Sequence, residues 1–173
     1  RDPRYFDIYE RHMASGAITL LWQQDSTNFP AAYSPDGTQI IVSRRHSNIF
    51  TQLFLLNIAS GEVRALTPET AEGGSDFSSP VWAVDGSGIY VLSNRERDFS
   101  SLAWIDLASG TMTYLLDEPW DVEYLEVTHD GRRMALSINE NGYSHLELFD
   151  ISQGWQARQE LASPPLAKGV IVE

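Results

Sequence analysis

The chain has 173 residues with 24 acidic against 12 basic side chains, a formal net charge of −12, and 42% of its residues are hydrophobic. Five Trp, seven Tyr and seven Phe support a packed core rather than a disordered tail, while the negative charge disfavours nucleic-acid backbones and anionic membrane surfaces. No run approaches the roughly 20 apolar residues that span a bilayer, and the absence of Cys excludes disulfides and Cys-ligated zinc. The start, Arg1-Asp2-Pro3-Arg4, has no signal-peptide hydrophobic region, and an initial residue other than Met suggests a piece of a longer polypeptide.

Residues 5–13 and 17–23 read as two strands joined at Ala14-Ser15-Gly16, the outer half of a four-stranded unit. The next unit is complete, with strands over 29–33, 39–44, 52–58 and 63–66 closed by Thr67-Pro68. A Gly/Ser/acid-rich connector over 69–76 leads to strands over 79–83, 88–93, 101–107 and 111–116. A further unit follows with strands over 122–128, 132–138, 144–151 and 155–161. Along it Met134, Leu136 and Ile138 share one face while Arg133, Ser137 and Asn139 share the other, the period of two of a strand. After Ser163-Pro164-Pro165, the last stretch reads as the first strand of yet another unit. No segment holds a helical period, so almost no helix is expected.

Two kinds of corner punctuate these strands. Ser34-Pro35-Asp36-Gly37, Val84-Asp85-Gly86 and His129-Asp130-Gly131 are Asp-Gly corners, where Gly supplies a positive φ without a Cβ clash. The second kind ends at Gly61, Gly110 and Gly154, so the steps from first to second Gly are 24, 24 and 23 residues. Stepping between second corners from Gly16 gives 45, 49 and 44 residues, and a period of about 40–50 residues holding four short strands is the signature of a propeller blade. The expected fold is therefore all-β, a partial β-propeller formed as an arc of four-stranded antiparallel blades. One domain over 1–173 would comprise half a blade at 1–26, blades at 27–69, 76–118 and 121–162, and the first strand of another at 166–173. An open arc leaves apolar blade faces uncovered, so the isolated segment is expected to self-associate.

Candidate chemistry is sparse. A serine hydrolase of the α/β class needs Gly-x-Ser-x-Gly to strain its nucleophile turn. The nearest patterns, Gly73-Gly74-Ser75 and Gly86-Ser87-Gly88, fall in a connector and a turn. His12, His46, His129 and His145 show no paired ligand spacing, and His12 takes the corner position held elsewhere by Asn57, Asp106 and Asp150. The corner carboxylates, each a blade apart, read as turn residues that do not pair for acid–base work. No catalytic residue, cofactor site or metal site is assigned. Residues in 118–123 precede an inner strand, where propeller connections often hold binding residues, and Trp120 there either faces a channel or packs between blades. Glu140 and Tyr143, in the hairpin between second and third strands, complete the substrate-channel candidates.

Tyr33-Ser34-Pro35-Asp36-Gly37, Gly61-Glu62-Val63-Arg64-Ala65-Leu66-Thr67-Pro68, Ile89-Tyr90-Val91-Leu92-Ser93-Asn94-Arg95, Asn139-Glu140-Asn141-Gly142-Tyr143-Ser144 and Lys168-Gly169-Val170-Ile171 together carry a resemblance. The chain resembles the N-terminal propeller of bacterial serine peptidases of the prolyl oligopeptidase family, in the acylaminoacyl-peptidase-like branch. The resemblance implies a noncatalytic, substrate-gating segment whose partner is a C-terminal α/β-hydrolase domain of the same parent, with peptide substrates and a cytoplasmic location. Neither nucleic acid nor membrane is an expected partner. The alternative is a TolB-like binding or scaffold propeller with no peptidase in its parent. A propeller enzyme acting on acidic sugars is a third reading, disfavoured by charge repulsion.

Overall fold

The computed structural model describes residues 2–69 and 74–162. Period-two apolar runs between Gly corners form fourteen strands there: β1 (Ile8–Arg11), β2 (Ile18–Trp22), β3 (Thr27–Tyr33), β4 (Gln39–Ser47), β5 (Phe50–Asn57), β6 (Val63–Ala65), β7 (Phe77–Trp82), β8 (Gly88–Ser93), β9 (Ser101–Asp106), β10 (Met112–Tyr114), β11 (Asp121–Val127), β12 (Arg133–Glu140), β13 (Tyr143–Asp150) and β14 (Gln159–Leu161). They make one two-stranded sheet, β1-β2, and three four-stranded meanders, β3 to β6, β7 to β10 and β11 to β14. Pairing is antiparallel, as in β4 with β5 and β12 with β13. Among the described residues the helical content is one 3-10 turn, Trp155–Ala157. The strand expected over 166–173 lies outside the described residues.

The chain divides into two compact units, Arg1–Phe77 and Ser78–Glu173. In the first, Ile8 packs with Ile40, Val42, Phe54 and Leu56, so the β1-β2 hairpin shares a core with the sheet that follows it. In the second, Leu92 and Leu102 of one sheet meet Val122, Leu125, Leu136 and Ile138 of the next. Two meanders thus stack face to face, because each turns apolar side chains to the other.

The corners follow the repeat. In each Asp-Gly corner the Gly N–H donates to the carbonyl three residues back, from Gly37 to Ser34, Gly86 to Ala83 and Gly131 to Thr128. Those Gly have φ of 69°, 71° and 68°. The second corner closes one residue wider: Gly16 donates to His12 O, Gly61 to Asn57 O and Gly110 to Asp106 O. Here His12 Nδ1 accepts from Ser15 N–H as Asn57 Oδ1 does from Ser60 N–H and Asp106 Oδ1 from Ser109 N–H. His12 is a turn residue.

The last corner departs from the pattern and corrects the strand expected over 155–161. Gly154 donates to Ile151 O, not Asp150 O, so the chain leaves this corner in a tighter turn. That turn rolls Trp155 into the core, where its indole N–H reaches Leu115 O at 3.2 Å and its ring meets Phe149 edge-on at 5.4 Å. Only Gln159–Leu161 remains for the edge strand.

Candidate functional site

Register places the predicted channel residues at one end of the β11–β14 sheet. Asp121 pairs with Asn139, and Glu140 pairs with Tyr143 across the Asn141-Gly142 turn. Both turn residues have positive φ, 52° and 82°, the two-residue hairpin geometry that Asn-Gly adopts most readily. Asn139 Oδ1 accepts from Gly142 N–H at 2.9 Å and its amide donates to Glu123 Oε1 at 2.7 Å. Ser144 Oγ donates to the other Glu123 oxygen at 2.7 Å. One carboxylate therefore staples three neighbouring strands and fixes the hairpin that carries Glu140 and Tyr143. Glu123 reaches both partners because a bulge between Val122 and Tyr124 re-aims it.

On this hairpin Tyr143 is 66% exposed and Glu140 is exposed. His145 stands between two carboxylates, with Nδ1 3.8 Å from Glu140 and Nε2 3.4 Å from Glu147. The result is a rigid, mostly acidic ledge with an exposed phenol, suited to holding a basic or neutral chain by hydrogen bonds and charge. Trp120 shares the end but not the ledge. It packs half-buried against the core cluster, its ring 6.4 Å from Phe99, and the neighbouring strand start is anchored by Ser100 N–H to Asp121 Oδ1 at 2.8 Å. Of the two roles weighed for Trp120, its contacts are those of packing.

Sequence reasoning missed the Glu123, Asn139 and Ser144 staple, whose only signal was the polar Asn-Glu-Asn-Gly-Tyr-Ser stretch opposite Glu123. The corner carboxylates Asp85 and Asp130 accept bonds within their own turns and also line one cleft in the second unit. Within that unit the two sheets share a core, and the Gly131 corner sits against Val84 of the other corner. Among the described residues no group of three or more His, Asp or Glu is arranged to hold a metal ion, and no helix is long and apolar enough to cross a membrane.

No family model matches the sequence, and no curated protein matches it. Solved structures do. TolB from Acinetobacter baumannii superposes with a TM-score of 0.66 at 17% identity, over 95% of this chain and 39% of that one. A prolyl endopeptidase gives 0.71 at 13% identity, over 88% of this chain and 23% of that one. This chain has a β-propeller fold. An oligogalacturonate lyase from Vibrio parahaemolyticus shares the propeller at 0.61 and 14% identity, over 88% of this chain and 46% of that one. The chain spans 23% to 46% of the length of these three proteins. It is all-β, built of four-stranded antiparallel blades of the TolB and prolyl-oligopeptidase type.

Proposed function

We propose that the chain is the noncatalytic, substrate-gating propeller segment of a serine peptidase of the prolyl oligopeptidase family. One propeller domain would run through both units, and the reacting residues would belong to a C-terminal α/β-hydrolase domain outside this sequence. The observation that carries the reading is the Asn139 to Ser144 hairpin: a stretch that carries the family resemblance is also stapled by Glu123 and presents Glu140 and Tyr143 outward. Gating would be steric and electrostatic, an acidic ledge that favours cationic or uncharged peptides. A cytoplasmic parent accords with the family resemblance.

The chain should be assayed on aminoacyl and acylated peptide chromophores, alone and joined to its native C-terminal continuation. Hydrolysis is expected only from the joined protein. Turnover by the isolated chain, or a continuation without Gly-x-Ser-x-Gly, overturns the reading. The second reading is a TolB-like binding propeller, favoured by the fuller coverage of this chain by TolB, 95% against 88% for the prolyl endopeptidase. A continuation that lacks the nucleophile motif and a chain that captures a protein partner would establish it. In isolation the segment would self-associate through the face carrying Tyr9, Ile18 and Leu20.

A further inference from the structure

The second unit holds a cleft of about 470 Å³ at the corner end of its two sheets, opposite to the end that carries Glu140 and Tyr143. Its inner wall is aromatic: Trp82, Tyr90 and Trp104 line it, with Tyr90 and Trp104 edge-to-face at 4.9 Å. Gly88 makes this wall, because a Cβ there would lie 2.2 Å from Trp104 Cζ2 and push the indole away. At the rim, Gly131 sits so close to Val84 that a Cβ would fall 2.4 Å from Val84 Cγ2, which seats the corner of one sheet against that of its neighbour.

Three polar groups at the cleft keep an oxygen that bonds no other described residue. Asp85 uses Oδ1 to accept from Ser87, and Asp130 uses Oδ1 to accept from Thr128 and Arg132 N–H. Neither Oδ2 bonds another described residue. Tyr90 is only 9% exposed, and its hydroxyl makes no hydrogen bond to another described residue. Tyr90 lines the cleft, so its phenol oxygen is available to whatever enters it. Asp85 stands near enough to add to the upward push that burial gives the Tyr90 phenol. With Arg132 on the same rim, two carboxylates and one guanidinium leave a net charge of −1.

We propose that this cleft binds a monocation of one chemistry, a primary ammonium on an apolar stem. The ammonium N–H groups would donate to the open Asp85 and Asp130 oxygens and to the Tyr90 hydroxyl, and the stem would lie against Trp104 and Trp82. One positive charge matches the rim, an apolar body matches the wall, and N–H donors match the three open acceptors. A free alkylamine or arylamine and a lysine side chain of a peptide both carry this chemistry. The inference stands independently of the peptidase reading, since the cleft lies at the other end of the sheet from the ledge.

The test is calorimetric titration of the whole chain with benzylammonium chloride, with benzyl alcohol as the uncharged comparator and acetyl-Gly-Lys-Gly-amide as the peptide arm. Benzylammonium should bind at least about tenfold more tightly than benzyl alcohol, and its affinity should fall as salt rises from about 20 to about 500 mM. The variant D85N/D130N keeps the turn acceptors and removes the charge. It should lose about tenfold for benzylammonium and nothing for benzyl alcohol. Tyr90→Phe should cost about threefold and serves where the double variant fails to fold. Whichever of the free amine and the lysine peptide binds more tightly identifies the source. Equal affinity for the amine and the alcohol, or an unchanged affinity in the charge-removed or Tyr90→Phe proteins, overturns the proposal.

Discussion

At the residue scale the corners turn short polar side chains into structure. Asp36 is held below the ordinary carboxylate range first by the Ser34 hydroxyl, Asp85 by the Ser87 N–H, Asp106 by the Ser109 N–H, Asp130 by the Thr128 hydroxyl and Asp150 by the Ser152 hydroxyl. A carboxylate whose folded value is depressed adds stability that is present above the unfolded value of about 3.9 and lost as pH falls through the folded value. Urea denaturation of the wild type and of Asp36→Asn should therefore differ at pH 7 and converge near pH 2, because Asn keeps the acceptor but has no charge to lose. A gap that stays constant with pH would remove this role from the corner. The glycines separate two physical demands. Gly37 has φ 69° and open space around its missing Cβ, whereas Gly131 has φ 68° and Val84 in the way. Gly37→Ala should cost about 1 kcal/mol from backbone strain alone. Gly131→Ala should cost about 2–4 kcal/mol, part of it recovered when Val84→Ala is added.

At the scale of elements, the hairpins differ in how much the sequence announced them. The hairpin that holds Glu140 and Tyr143 was legible from the strands on either side of it, and the strands of the three meanders were legible from period two and the corner glycines. The 3-10 turn at Trp155 was not, because nothing local distinguishes a Gly that closes to the residue three back from one that closes four back. That choice is set by burial of the indole against Phe149 and Leu115. The Glu123 staple was hidden for a related reason: a bulge in β11 decides where the carboxylate points, and bulges leave no mark in an alternating pattern. Glu123→Ala should strand the Asn139 amide and Ser144 hydroxyl and destabilise the chain by about 1–2 kcal/mol. Glu123→Gln, which retains one acceptor, should lose less, and thermal melting of the two variants compares them. Equal losses would show that the staple adds nothing beyond packing. Leu136 is fully buried between the sheets of its unit, and Leu136→Ala should cost about 2–5 kcal/mol.

At the scale of the molecule, the repeat is exact in register even where loops differ. Ile41 pairs with Leu55, Tyr90 with Trp104 and Ala135 with Leu148. Each first partner lies four residues past its Asp-Gly glycine, and each second partner six residues before the next corner glycine. The corners thus set strand pairing, and the composition of the loops between is left for function: a seven-residue connection after Ser93, a two-residue turn after Glu140. The β1-β2 hairpin leaves Tyr9 57%, Ile18 65% and Leu20 45% exposed, and light scattering should show association that rises with concentration and falls in Ile18→Lys/Leu20→Lys. A stable monomer at high concentration would count against it. The most direct test of the blade architecture on which both functional readings rest is a long-range NOE map of the backbone-assigned chain. Cross-strand NOEs should join Ile41 to Leu55, Tyr90 to Trp104 and Ala135 to Leu148. Pairings offset differently from the corner glycines in the three meanders, or runs of helical i to i+3 NOEs, would contradict it.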